Sequence, residues 1–130
     1  MLKKTVEQGK GGKVVLMDSI TKVNEDDKGA VVVSASHGGT SSGEFALEVP
    51  LKLVVFNDAG GGKDNAGTAA LEMLHGHGVA AAAVAHTSGR IGDSLDMWEN
   101  GVLSQVNPEA RQLGLNNGDK VSVALSRLVQ

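Results

Sequence analysis

Apolar residues gather in four short runs, Val14-Val15-Leu16-Met17, Val31-Val32-Val33, Leu51 to Phe56 and Val79 to Ala85. None alternates apolar with polar positions, so each reads as a strand buried on both faces, the kind found at the centre of a parallel sheet. Helix propensity alone would favour a helix over Ala80 to Ala83. Gly76 and Gly78 before that stretch, and His86-Thr87-Ser88-Gly89 after it, bound it at strand length. Between the third and fourth runs, Ala66, Ala69, Ala70, Met73 and Leu74 recur at helical spacing, with Thr68, Glu72 and His75 facing away and Gly76 set to end the helix. Strand, helix and strand together fill roughly the 30 residues of a βαβ crossover. Asn107-Pro108-Glu109 starts a second helix: Asn caps, Pro takes the first helical position, Glu complements the dipole, and Gly114 stops it. Shorter helices are expected over Ser42 to Val49 and Ser94 to Asn100, a strand over Val102 to Val106, and an edge strand over Val121 to Leu125.

The implied architecture is α/β, a single three-layer domain with a mostly parallel sheet and Gly-rich loops at the strand ends. Residues 1–12 read as a flexible lead-in, because Glu7 to Lys13 is rich in Gly and Lys, and residues 13–130 as the domain. About a dozen residues separate the first two strands, so short a link that the pair could be antiparallel. Asn24 to Gly29 reads as a charged, solvated turn.

Composition narrows the function. Length suits one domain, and 41% hydrophobic residues can bury a core. Aromatic residues are limited to Phe45, Phe56 and Trp98, which leaves no stacking platform for bases. A net charge of −3 gives no footprint for nucleic acid or an anionic membrane. The absence of Cys excludes disulfides, thiolate zinc sites, iron–sulfur clusters and a thiol nucleophile. No leader or membrane-length run is evident, so the expected location is cytoplasmic. Expected partners are a small anionic molecule and, given the apolar strands, a homo-oligomer.

One local grammar recurs: apolar strand, Gly-rich polar loop, helical segment. It appears at Ser34 to Thr40, at Asn57 to Asp64 and at His86 to Asp93. With parallel strands these loops share the carboxyl edge, where open α/β sheets bind ligands. The middle loop fails the P-loop pattern, because Asn57 stands where Gly is required and Asp64 follows Lys63. It fails the dinucleotide fingerprint as well, since Gly60-Gly61-Gly62 leads to Lys63, Asp64 and Asn65. What remains is a backbone nest able to hold a carboxylate or phosphate, or alternatively a Gly-rich turn with Asp64 as a helix cap. Candidate catalytic residues are His37 and Asp58. Candidate ligand-binding residues are Ser36, Gly38, Gly39, Asn57, Gly60, Gly61, Gly62, Lys63, Asp64, Arg90 and Asp93. Arg90 could equally pair with Asp93 or Asp58, and Asp93 could cap the helix that follows. His37-Gly38-Gly39 suggests a hydrolase oxyanion loop, but no Gly-x-Ser-x-Gly elbow accompanies it. No cofactor is expected. A divalent cation at Asp58, Asp64 or Asp93 is compatible with the residue types, whereas His75 and His77 lack the neighbours of a metal site.

Ser36 to Gly39, Asn57 to Gly67 and Arg90 to Asp93 resemble the Ser-His-Gly-Gly, Asn-Asp-Ala-Gly-x-Gly-Lys-Asp-x-Ala-Gly and Arg-Ile-Gly-Asp segments of a family of uncharacterised bacterial proteins. The likeness spans most of residues 14–118, with Gly89 where that pattern has Ala. It implies a shared site rather than a particular reaction. The sequence thus points to a small-molecule enzyme of hydrolase- or lyase-like chemistry, Lys63 and Arg90 holding the anion and His37 with Asp58 handling protons. The alternative is a ligand-binding or oligomeric regulatory module that uses the same edge without turnover.

Overall fold

The computed structural model describes residues 2–61 and 68–130. Those residues form an α/β fold around a six-stranded mixed sheet in simple sequential order. The strands are β1 (Lys3–Gly9), β2 (Gly12–Met17), β3 (Val31–His37), β4 (Leu53–Asn57), β5 (Ala81–Val84) and β6 (Leu103–Val106). Strands β2 to β5 run parallel, while β1 and β6 are antiparallel edges. The helices are α1 (Thr40–Ala46), α2 (Ala69–Gly76), α3 (Ser94–Asn100), α4 (Pro108–Gln112) and α5 (Val121–Val129). No helix among the described residues is long and apolar enough to cross a membrane.

Alternate strand residues feed two separate apolar clusters, as the period of two requires. Val14, Leu16, Val31, Val33, Leu53 and Val55 pack with Met97 of α3 and with Val121, Ala124, Leu125 and Val129 of α5. Val15, Met17, Val32, Val54 and Phe56 pack with Ile20, with Ala46 of α1 and with Ala70, Leu71 and Leu74 of α2. Burial on both faces explains why these strands lack polar alternation. The link from β2 to β3 makes its parallel crossover with short 3-10 turns at Ile20–Lys22 and Glu25–Asp27 instead of a full helix, so this pair is not antiparallel.

Three expectations change. Within the expected lead-in of residues 1–12, Lys3–Gly9 is not loose: it forms β1, which pairs with β2 through a tight turn, and the glycines there answer to close packing. The Gly11 N–H donates to Val129 O at 3.1 Å, and a Cβ on Gly9 would overlap that same carbonyl at the end of α5. Val121 to Leu125 is not an edge strand but the first half of α5. Its buried positions, Val121, Ala124, Leu125 and Val129, follow the helical stripe, which outweighs the strand preference of its valines. The charged turn is only partly solvated, since Asp27 is buried, caps its own turn at Asn24 N and pairs with Lys3 Nζ at 2.9 Å. Smaller shifts concern α2, where Thr68 is buried rather than outward-facing, and where the left-handed stop is Gly78 (φ +72) rather than Gly76. His75 pairs with Glu109 across 2.9 Å.

Candidate functional site at the carboxyl edge

Because β2 to β5 are parallel, the segments after Met17, His37, Asn57 and Val84 leave the sheet at one edge. The three polar loops are tied together there. His37 and Asn57 are register partners, and Gly38 N donates to Asn57 O at 3.2 Å. Asn57 is fully buried; its Oδ1 accepts from Ala59 N (2.8 Å) while its Nδ2 donates to Gly89 O (2.8 Å), joining the middle loop to the third. Gly92 N donates to Ala35 O at 3.0 Å, joining the third loop back to β3.

Asp58 is the hub of the edge. Its Oδ1 accepts from Gly60 N (2.8 Å), His86 N (3.1 Å) and His86 Nδ1 (3.1 Å), and its Oδ2 accepts from Ser104 Oγ (2.7 Å). Burial opposes its charge, but the donors from Gly60, Ser104 and His86 outweigh burial and hold the carboxyl below its ordinary value. A carboxylate so placed is a weak proton acceptor, and it fixes the ring of His86. Since Asp58 can only accept, His86 Nδ1 carries the proton, and the neutral ring presents Nε2 as an acceptor. His86 is half exposed and lies over Gly60, whose added Cβ would sit 3.5 Å from the ring. His37 has the opposite polarity. Its Nδ1 accepts from Gly39 N at 3.1 Å, so the neutral ring offers Nε2–H as a donor.

The expected backbone nest is largely occupied by the chain itself. Ala59, Gly60 and Gly61 all adopt positive φ (52, 79 and 83°), yet their N–H groups donate to Asn57 Oδ1, Asp58 Oδ1 and Asp58 O. Gly38 and Gly39 N–H are engaged in the same way. Gly62, Lys63 and Asp64 lie outside the described residues. Asp93 caps α3, accepting from Asp96 N at 3.0 Å, and Ser36 Oγ accepts from Ile20 N at 3.0 Å. Asp18 accepts from Leu2 N and from Ser94, so it ties Leu2 to α3; burial opposes its charge, and these donors lower its pKa.

Two recesses open at this edge, and Ile91 borders both. One, of about 360 Å³, is lined by His37, Thr21, Ser36, Ser41 and Ser42 together with the apolar Ile20 and Phe45. The other, also about 360 Å³, holds His86, Arg90 and Asp96. His37 and Arg90 therefore face neighbouring recesses rather than a common pocket. Among the described residues Arg90 forms no ion pair with Asp93 or Asp58, whereas its backbone N–H donates to Asp96 Oδ2 at 2.8 Å. Among the same residues no group of three or more His, Asp or Glu assembles to hold a metal. His86 is the residue that sequence reasoning passed over. Its signal was its position, two residues beyond β5 and beside the loop that follows β4, where Asp58 lies.

Comparison with protein-family models, with curated proteins and with solved structures finds no match to this chain. Function is read from the geometry of the site itself.

The state of Asp58 sets a pH dependence. A carboxyl whose folded pKa lies below its unfolded value of 3.8 stabilises the fold above that pH, and the contribution disappears as pH falls through the folded value. Asp58→Asn is expected to lower stability at pH 7 and to lose less than the parent between about pH 5 and pH 2. Urea unfolding across that range checks this; parallel curves for the two proteins would show that Asp58 is not held in its charged form by the fold.

Proposed function

We propose that this chain is an enzyme acting on a small anionic molecule, a carboxylate or a phosphate, bound at the carboxyl edge of the sheet. The observation that carries this reading is the Asp58–His86 pair: a partly buried carboxylate orients a half-exposed imidazole that shares a recess with Arg90. Arg90 supplies a planar fork for the anion, and His86 Nε2 supplies the base. His37, with its Nε2–H, is the complementary donor on the far side of Ile91. A base and a donor of fixed, opposite polarity suit proton transfer in hydrolysis or elimination. This reading reassigns Asp58 from proton carrier to positioning residue. It also takes the domain as three layers, a view supported by the two separate apolar clusters fed by the sheet.

The test is an amide NMR and thermal-unfolding titration of the whole chain with inorganic phosphate and with acetate. Binding is expected to move the resonances of His86 and Arg90 and to raise the midpoint, and Arg90→Gln is expected to abolish both effects. At ligand concentrations about 100 times Kd the stabilisation is about 2.7 kcal/mol. Absence of any response at His86 and Arg90 would remove the anion. Across a panel of phosphate and carboxylate esters, His86→Gln is expected to reduce turnover about 10²- to 10⁴-fold. Binding that persists with no turnover of the panel by the parent protein would favour the non-catalytic module.

A further inference from the structure

We infer that the recess beside His37 is a subsite for an uncharged, hydroxyl-bearing part of the substrate. The ligand is then bipartite, with an anionic head at Arg90 and a short neutral body across Ile91. The inference rests on the anion-binding reading above and specifies its substrate class.

The chemistry of the two recesses differs in kind. The Arg90 recess contains a guanidinium, an imidazole and the carboxylate of Asp96. The His37 recess, of equal size, is bordered by no Asp, Glu, Lys or Arg among the described residues. A charged group placed there would gain no counter-charge from the described residues that border it. Its wall is mostly apolar, with a few hydrogen-bonding groups set into it. Ser41 and Ser42 bring hydroxyls that can donate or accept, Thr21 Oγ1 is shared with Ser19 Oγ at 2.8 Å, and Ser36 Oγ, already accepting from Ile20 N, keeps its own proton to donate. His37 adds a fixed Nε2–H donor. Ile20 and Phe45 complete the wall with apolar surface. A mostly apolar wall with a few hydroxyls in it matches a molecule that carries one or two hydroxyls on a hydrocarbon frame, as in a short diol. A volume of about 360 Å³ holds a fragment of a few carbon atoms. Ile91, exposed and common to both recesses, lets one small molecule occupy the two at once.

Three probes separate this subsite from the anion site: inorganic phosphate, butanediol, and the monophosphate ester of butanediol, each titrated into the full chain by amide NMR. The ester is expected to bind about tenfold or more tighter than phosphate. It should move Ser36, Ser41 and Gly92 as well as His86 and Arg90, whereas phosphate moves only the last two. Ser41→Phe, which puts a ring into the recess from an exposed position, is expected to erase the ester's advantage. Thr21→Phe, also at an exposed position, is the second such variant should the first fail to fold. An ester no tighter than phosphate, with shifts confined to His86 and Arg90, would overturn the neutral subsite and leave the anion site standing. Butanediol and ester shifting Ser36 and Ser41 while phosphate shifts nothing would uphold the subsite and overturn the anion site. No response to any probe would overturn both.

Discussion

Replacing Asn107 by alanine is expected to cost about 3–5 kcal/mol, a large share of the roughly 5–15 kcal/mol that holds a domain together. The residue is almost wholly buried and uses both ends of its amide. Its Oδ1 accepts from Ala110 N (3.0 Å), capping α4, and from Ala81 N (3.0 Å) at the start of β5. Its Nδ2 donates to Val79 O (2.9 Å) and Leu71 O (3.2 Å), reaching the segment before β5 and the body of α2. Alanine would remove the cap, worth about 1 kcal/mol, and leave buried backbone groups of two other elements without partners, each at about 1–3 kcal/mol. Asn107→Asp separates the two halves of the role. It keeps the acceptor and the cap but sets a carboxylate against the carbonyls of Val79 and Leu71, so it should cost at least as much as alanine at neutral pH. The check is the shift of the urea midpoint at constant m-value. A loss below about 1 kcal/mol for the alanine variant would mean that Asn107 serves only as a helix cap.

Sequence could reveal the cap but not the other bonds of Asn107, and that division runs through the molecule. The strands β2 to β5 and the helices α3 and α4 were legible because their signals are local: continuous Val-rich runs, an Asp93 or Asn107 cap, a proline at the first helical position. The helix α5 was not, because Val121 to Leu125 alone carries strand-like residues; its helical stripe emerges only when Leu128 and Val129 join the window. The edge strand β1 is exposed on nearly every residue, so it has no buried face to print an alternation. At the site, parallel strands sufficed to predict which loops meet. The function of each group within them was hidden, because it depends on partners distant in sequence. Asp58 looks like an acid–base residue until Ser104 and His86 close on it. Ala59, Gly60 and Gly61 look like an anion cradle until their N–H groups are found to bond back to Asn57 and Asp58.

The last of these bonds makes Asn57 the second position of large expected effect, on stability and on the site together. Asn57→Ala is expected to cost about 2–4 kcal/mol, because Ala59 N and Gly89 O both lose a buried partner. Ala59 holds a positive φ of 52°, a conformation an alanine adopts only when its surroundings impose it, so losing the Asn57 bond should also release that turn. His86 rests over Gly60 in the same turn, and Arg90 follows Gly89 directly. The variant should therefore bind phosphate more weakly even where it remains folded, and amide exchange should quicken at Ala59, Gly60 and Arg90 before it does in β2 or β3. Asn57→Asp sharpens the test through its sign. It retains the acceptor for Ala59 N but puts a carboxylate against Gly89 O in a fully buried place, which raises the new carboxyl's folded pKa above its unfolded value. The penalty is then greatest at neutral pH and shrinks as the pH falls through the folded pKa toward the unfolded one, opposite to the trend expected of Asp58. Equal losses at pH 7 and about pH 4 would show that the amide of Asn57 does not hold the two loops together.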